Sequence, residues 1–205
     1  MARKEGGMVE GLVLSTSLLL TPTSILLLDE PIREWAQTHR SRRADLLFGG
    51  INTLGDGKVH LVGWGSLALL GYVLKDEGMR DFGGWGEVSF LITGTATVAL
   101  KALFGRARPS VGLGPTAFHP LNLDDDFHSL PSGHTSVAFS AAGYVFARTS
   151  NAWVRWSGLL LASGVGAARI YFDRHWLSDV IMGAGIGFSV GYLIGRWRES
   201  QDAAL

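Results

Sequence analysis

The sequence contains no cysteine, which excludes disulfides, thiolate metal sites and a cysteine nucleophile and leaves the redox compartment open. Charge is scarce as well. Only 18% of the 205 residues are charged, against roughly 25% in ordinary soluble domains. Neither sign dominates, since 18 basic residues face 18 acidic ones. The basic excess that marks a nucleic-acid partner is therefore missing. Proline is sparse, and the 28 glycines sit inside apolar stretches rather than in polar tracts. That pattern argues against a disordered or collagen-like chain.

What the chain does have is apolar runs, with 47% of its residues hydrophobic. Six runs stand out, over residues 11–28, 59–74, 88–100, 132–147, 152–168 and 180–195. The first carries no charge and just reaches the length of a bilayer crossing. Several others fall short of the ~20 residues that a spanning helix wants, so a soluble bundle with buried helices is the rival reading. The runs are apolar all round rather than along one stripe. Trp35, Trp85, Trp153, Trp156, Tyr171, Trp176 and Trp197 cluster near their ends, where aromatic side chains anchor at the lipid–water boundary. Small residues are frequent within them, as in packed membrane helices. The expected fold is therefore all-α, a six-transmembrane-helix bundle, with residues 1–205 forming one integral membrane domain.

Three local features refine this expectation. Residues 11–28 are too long for the apolar region of a signal peptide, and no small-x-small cleavage site follows. A retained helix is expected there, kinked or broken at Pro22. Gly183, Gly187, Gly191 and Gly195 recur every fourth residue. They form a ridge without side chains, suited either to packing inside the bundle, which is favoured, or to a dimer contact. Residues 29–45 are polar and contain Arg40, Arg42 and Arg43; an interfacial helix with no chemical role is expected there.

The chemistry lies in three short stretches. The first is Lys101, six residues, then Arg108 and Pro109. The second is Pro131-Ser132-Gly133-His134. The third is Arg169, five residues, His175, three residues, Asp179. If the six runs are six crossings, the first stretch leaves the third crossing, the second enters the fourth, and the third links the fifth to the sixth. All three then fall on one face of the membrane.

His175 and Asp179, four apart, share a face once a helix starts near His175. The carboxylate would fix the imidazole tautomer and stabilise charge on the ring as it attacks. The same residues also suit a plain helix start, with Ser178 or Asp179 as cap. His134 follows a turn sequence and suits a general acid, a role typically worth ~10²–10⁴ in rate. The Ser132 hydroxyl and the Gly133 N–H, at a helix amino terminus, suit an anion. Lys101, Arg108 and Arg169 would form a cationic cradle for phosphate oxygens. Arg106 and Arg174 fit headgroup anchors at helix ends. Asp124, Asp125 and Asp126, with His119 and His128, lie in the 110–130 link. Their spacing matches no cation-binding loop, so a solvated loop is expected there, or a border of the substrate entrance that disfavours strongly anionic headgroups.

Together these stretches resemble the type-2 phosphatidic acid phosphatase superfamily, over residues 59–197. The resemblance implies a metal-independent phosphatase that needs no cofactor. It implies His175 as nucleophile passing through a phosphohistidine, Asp179 as its orienting partner and His134 as acid. Lys101, Arg108, Ser132, Gly133 and Arg169 are implied as phosphate ligands. One position departs: the family's serine before the arginine is Ala168 here, so Arg169 is expected to lose that hydroxyl's support. A lipid phosphate or diphosphate is implied as substrate, of the phosphatidylglycerol phosphate, undecaprenyl diphosphate or phosphatidic acid type. The resemblance implies a place in the cell membrane with the site on the extracytoplasmic face; charge alone orients the chain only weakly. The alternatives are a lipid phosphotransferase with the same site, a vanadate-dependent haloperoxidase and a non-catalytic phosphate-binding membrane protein.

Overall fold

The computed structural model describes residues 2–203. Among them the chain forms eight α-helices: α1 (Ala2–Leu27), α2 (Asp29–Thr38), α3 (Arg42–Thr53), α4 (Gly57–Leu74), α5 (Glu77–Phe104), α6 (Gly133–Arg148), α7 (Ala152–Tyr171) and α8 (Leu177–Asp202). Two 3-10 turns, Pro109–Val111 and Asp125–Phe127, lie in the link between α5 and α6. Among the described residues, β-pairing is limited to one isolated bridge between Arg106 and Phe118.

Side-chain caps set several of the helix starts. Ser41 accepts from Ala44 N–H, Asp56 from Lys58 N–H, Asp76 from Met79 N–H, and Asn151 from Trp153 and Val154 N–H. α5 stops at Gly105, whose φ of 54° suits glycine. A Cβ there would lie 1.7 Å from the His119 carbonyl oxygen. This break turns the chain out of the helix just before Arg106.

Each of the six apolar runs falls within one helix to within a residue, but the expected count of six is not met. The polar stretch after α1 makes two helices, α2 and α3, where one was expected. Among the described residues, four segments are long and apolar enough to cross a membrane: Met8–Leu27 within α1, α4, α5 and α8. α6 has only 16 residues and many small polar side chains. The reason is its central position, since a helix wrapped by other helices needs no apolar surface for lipid. Pro22 does not end α1, which continues to Leu27.

Burial separates the membrane reading from the soluble one. Only 6% of α4 is buried against the rest of the protein, against 56% for α8. Val62, Leu69 and Val73 on α4, Ile92 and Val98 on α5, and Leu12, Leu19 and Leu26 on α1 are all exposed. Apolar surface of this extent suits lipid, not water.

The core runs between α6 and α8, which lie side by side in the same direction. The glycine ridge faces α6. A Cβ at Gly183, Gly187 or Gly191 would lie 2.8, 2.1 or 2.0 Å from the carbonyl oxygen of Ser132, Ser136 or Ser140. The ridge therefore serves packing within the bundle. α1 lies on the other flank of α8, where Ser189 Oγ donates to the Glu10 carbonyl at 3.0 Å.

The two ends of the bundle differ. At one end Arg198 Nε pairs with both oxygens of Asp81 at 2.8 and 2.9 Å, and Arg148 pairs with Asp202 at 2.7 Å. At the other end lie the carboxyl ends of α1, α5 and α7 with the amino ends of α4, α6 and α8. All three motif stretches are there.

Candidate active site

The turn before α6 is tied directly to the start of α8. Ser132 N–H donates to the Asp179 carbonyl at 3.0 Å. His134 is two residues from one end of that bond and His175 four from the other, so both imidazoles lie at the same end of the bundle. Lys101, in the last turn of α5, reaches this turn as well. Its ammonium donates to the carbonyls of His128 and Ser129, and its Cε lies 3.7 Å from a Cβ built on Gly133. His134 is within electrostatic range of Arg169, Lys101 and Arg108.

His175 precedes α8 and is almost fully buried. Its Nδ1 lies 3.4 Å from Asp179 Oδ2, at the long end for a hydrogen bond, as is common in unliganded sites. The same oxygen accepts from Trp176 N–H at 2.9 Å and from Ser129 Oγ at 2.5 Å. Asp179 thus caps the helix and orients the ring at once. Burial pushes the His175 imidazole well below its ordinary pKa, against the opposing pull of Asp179. The ring is therefore neutral at pH 7, the form in which a ring nitrogen has a free lone pair.

The cradle residues have distinct settings. Arg108 Nη1 donates to the Arg174 carbonyl at 3.4 Å, while its Nε and Nη2 hold the Asp125 carbonyl and Oδ1, both at 2.8 Å. The loop of three aspartates is therefore not merely solvated, because Asp125 engages one of the expected phosphate ligands. Arg169 Nη1 donates to Asn52 Oδ1 at 3.0 Å. Its Nε is buried without a partner among the described residues. Such a donor is costly unless an acceptor meets it. Ala168 is fully buried and, as an alanine, offers Arg169 no hydroxyl; the side-chain acceptor that Arg169 meets is Asn52 from α3. Ser132 is fully buried, its hydroxyl 2.8 Å from that of Thr135.

One expectation fails outright. Arg106 was paired with Arg174 as a headgroup anchor, and only Arg174 is exposed. Arg106 is 0% exposed and donates to Asp179 Oδ1 at 2.5 Å and to Asp29 Oδ2 at 2.7 Å. Asp29, in a stretch expected to carry no chemistry, is equally buried and accepts from Ser178 N–H at 2.8 Å. A charge at the end of an apolar run, with no local partner, was the available signal for both. Asn52 carried no such signal.

An apolar cavity of about 590 Å³ opens between α4, α6 and α7, lined among others by Leu54, His60, Trp64, Ala142, Gly158 and Val165. Gly55 lies against both Val165 and His134, so the cavity borders the site.

A family profile described as the PAP2 superfamily matches residues 87–202. The chain belongs to this superfamily. Among curated PAP2-like relatives, lipid A 1-phosphatase of Porphyromonas gingivalis is 35% identical over 133 residues, covering 58% of this chain and 27% of that protein. Lipid A 4'-phosphatase of Helicobacter pylori is 31% identical over 121 residues, covering 56% of this chain and 58% of that protein. The chain thus spans about a quarter to three fifths of these relatives' lengths. The crystal structure of a transmembrane PAP2 type phosphatidylglycerolphosphate phosphatase from Bacillus subtilis superposes with a TM-score of 0.73 at 22% identity, covering 93% of this chain and 96% of that one. This shows that the PAP2 fold is shared.

Proposed function

We propose that this protein hydrolyses a lipid phosphate or diphosphate at a membrane surface, without a metal, through a phosphohistidine at His175. The observation that carries this reading is the Ser132–Asp179 bond at 3.0 Å, which places His134 and the His175–Asp179 pair at one end of the bundle beside the cations. His175 Nε2 would attack phosphorus while the ester P–O bond breaks, and His134 would give its proton to the leaving oxygen. Water would then attack the phosphohistidine as His134 takes its proton and the N–P bond breaks, releasing inorganic phosphate. Lys101, Arg108, Arg169 and the Ser132–Gly133 turn would hold the phosphate oxygens. The unpartnered Arg169 Nε supports an anion at this place, and the apolar cavity beside His134 suits a hydrocarbon tail. The names of the relatives, lipid A 1-phosphatase and lipid A 4'-phosphatase, support a phosphorylated membrane lipid as the substrate class. With an odd number of crossings before the site, it faces outward from the cell membrane when the amino terminus is cytoplasmic.

The test is phosphate release from a panel of lipid mono- and diphosphates in detergent with a chelator present. Wild-type protein is expected to release phosphate to water, and H175A to release none. Phosphate passed to a second lipid instead would make the protein a phosphotransferase. A folded protein inert across the panel would leave only phosphate binding.

A further inference from the structure

Arg106 and Asp29 lie behind the nucleophile, away from the cradle. Arg106 donates to Asp179 Oδ1 at 2.5 Å, Ser178 Oγ at 2.6 Å and Asp29 Oδ2 at 2.7 Å. Its remaining donors hold the Pro115 carbonyl, from Nε at 2.9 Å and from Nη2 at 2.6 Å. The rings of Phe118 and Trp176 flank its guanidinium at 5.5 and 5.6 Å. Asp29 accepts from Ser178 N–H at 2.8 Å, Ser178 Oγ at 2.5 Å and Ser24 Oγ at 3.1 Å. Arg106, Asp179, Asp29, Ser178 and Ser24 are all sealed from water.

The charge count is the informative part. Arg106 and Asp179 alone would form a neutral buried pair, and the arginine would neutralise the carboxylate that must support His175. Asp29 adds a second carboxylate, so the cluster carries one excess negative charge. Burying such a charge is costly, and structural needs alone favour a neutral pair or an apolar contact. A charge arises beside it in the proposed reaction. Formation of the N–P bond leaves the His175 ring positively charged, and the ring, Asp179, Arg106 and Asp29 together become neutral at that moment.

We propose that Asp29 and Arg106 are positioning residues that hold Asp179 in place while keeping its negative charge available to the His175 ring. Asp29 engages the far side of Arg106, so the guanidinium fixes the carboxylate without cancelling it. This inference rests on His175 being the nucleophile. It adds to that reading a contribution from the start of α2, about 150 residues away in sequence.

The experiment compares D29N, the double variant D29N/R106Q and S178A with wild type. kcat and KM are measured on a lipid phosphate in detergent, with thermal inactivation as the check on folding. D29N removes the excess charge and is expected to lower kcat about tenfold, the scale of one charge interaction worth a pKa unit. KM is expected to stay unchanged, because Asp29 does not touch the cradle. The double variant restores the net charge but gives up the guanidinium's hold on Asp179, so it is expected to recover part of the lost kcat. A purely structural role predicts the opposite, with the double variant worse than D29N. S178A removes a hydroxyl without altering charge and is expected to keep kcat within about threefold, below one such interaction. D29N with wild-type kcat, or a folded double variant worse than D29N, overturns the proposal. If D29N does not fold, the double variant decides alone, and a folded double variant below about a thousandth of wild-type kcat overturns it. H175A is run alongside. Activity retained in H175A would refute the nucleophile assignment, whereas an inactive H175A with a normal D29N would refute the positioning role only.

Discussion

Replacing Gly187 by alanine tests how the bundle's core governs its chemistry. The new methyl carbon would lie 2.1 Å from the Ser136 carbonyl oxygen and 3.0 Å from the Ser140 nitrogen. Both are backbone atoms, so no side chain can swing aside to make room. A carbon–oxygen contact needs about 3.3 Å, so α6 and α8 must part locally by about 1 Å. Overpacking of this kind costs about 1–3 kcal/mol. The displaced helices carry His134 on one side and Asp179 on the other, and a 1 Å misplacement costs about 10²-fold in rate. G187A is therefore expected to lose stability and to lose kcat by one to two orders of magnitude, roughly in line with these two effects. Gly63 provides the control, because a Cβ there meets nothing within 4 Å; G63A is expected to match wild type. The assay is phosphate release from a lipid phosphate in detergent, with the thermal inactivation midpoint recorded in parallel. A G187A protein with wild-type midpoint and turnover would refute the claim that backbone contact along the ridge sets the site's geometry.

Burial holds the His175 pKa below its unfolded value, so at intermediate pH the unfolded chain binds the extra proton. The neutral ring's contribution to stability is therefore fully present above about pH 6.5 and falls away as pH drops below it. The inactivation midpoint is expected to decline on acidification from pH 7 to 5, and H175N is expected to flatten part of that slope; an equal slope in both proteins would contradict the burial argument. Asn52 holds the Arg169 guanidinium at 3.0 Å, so N52A is expected to raise KM about tenfold by freeing that side chain. Adding A168S to N52A is expected to recover part of the loss, and an unchanged KM in N52A would remove Asn52 from this role.

The positions of the motifs and the end of the bundle where they meet were readable from helix parity, which needs only the order of apolar runs. The ridge on α8 was readable because its period is local. The partners of Arg106 were not. Arg106 and Arg108 are two residues apart beyond the break at Gly105, and only the folded chain shows that one points to Asp29 and the other to Asp125. α3 was obscured by Arg42, Arg43 and Asp45 at its start, which read as a solvated face. Asn52 near its end has no charge, period or motif to mark it, because its contact with Arg169 joins two distant helices. The low apolar character of α6 was visible, but its meaning depends on the helices that surround it.

The grip of Asp125 on Arg108 affects which anions can reach the guanidinium. Any anion that claims the guanidinium's outer edge must first push aside a carboxylate already tethered there at 2.8 Å. Chloride and other weakly held ions from the medium are thus poor rivals, and only a guest with several oxygens, met by several donors at once, repays the exchange.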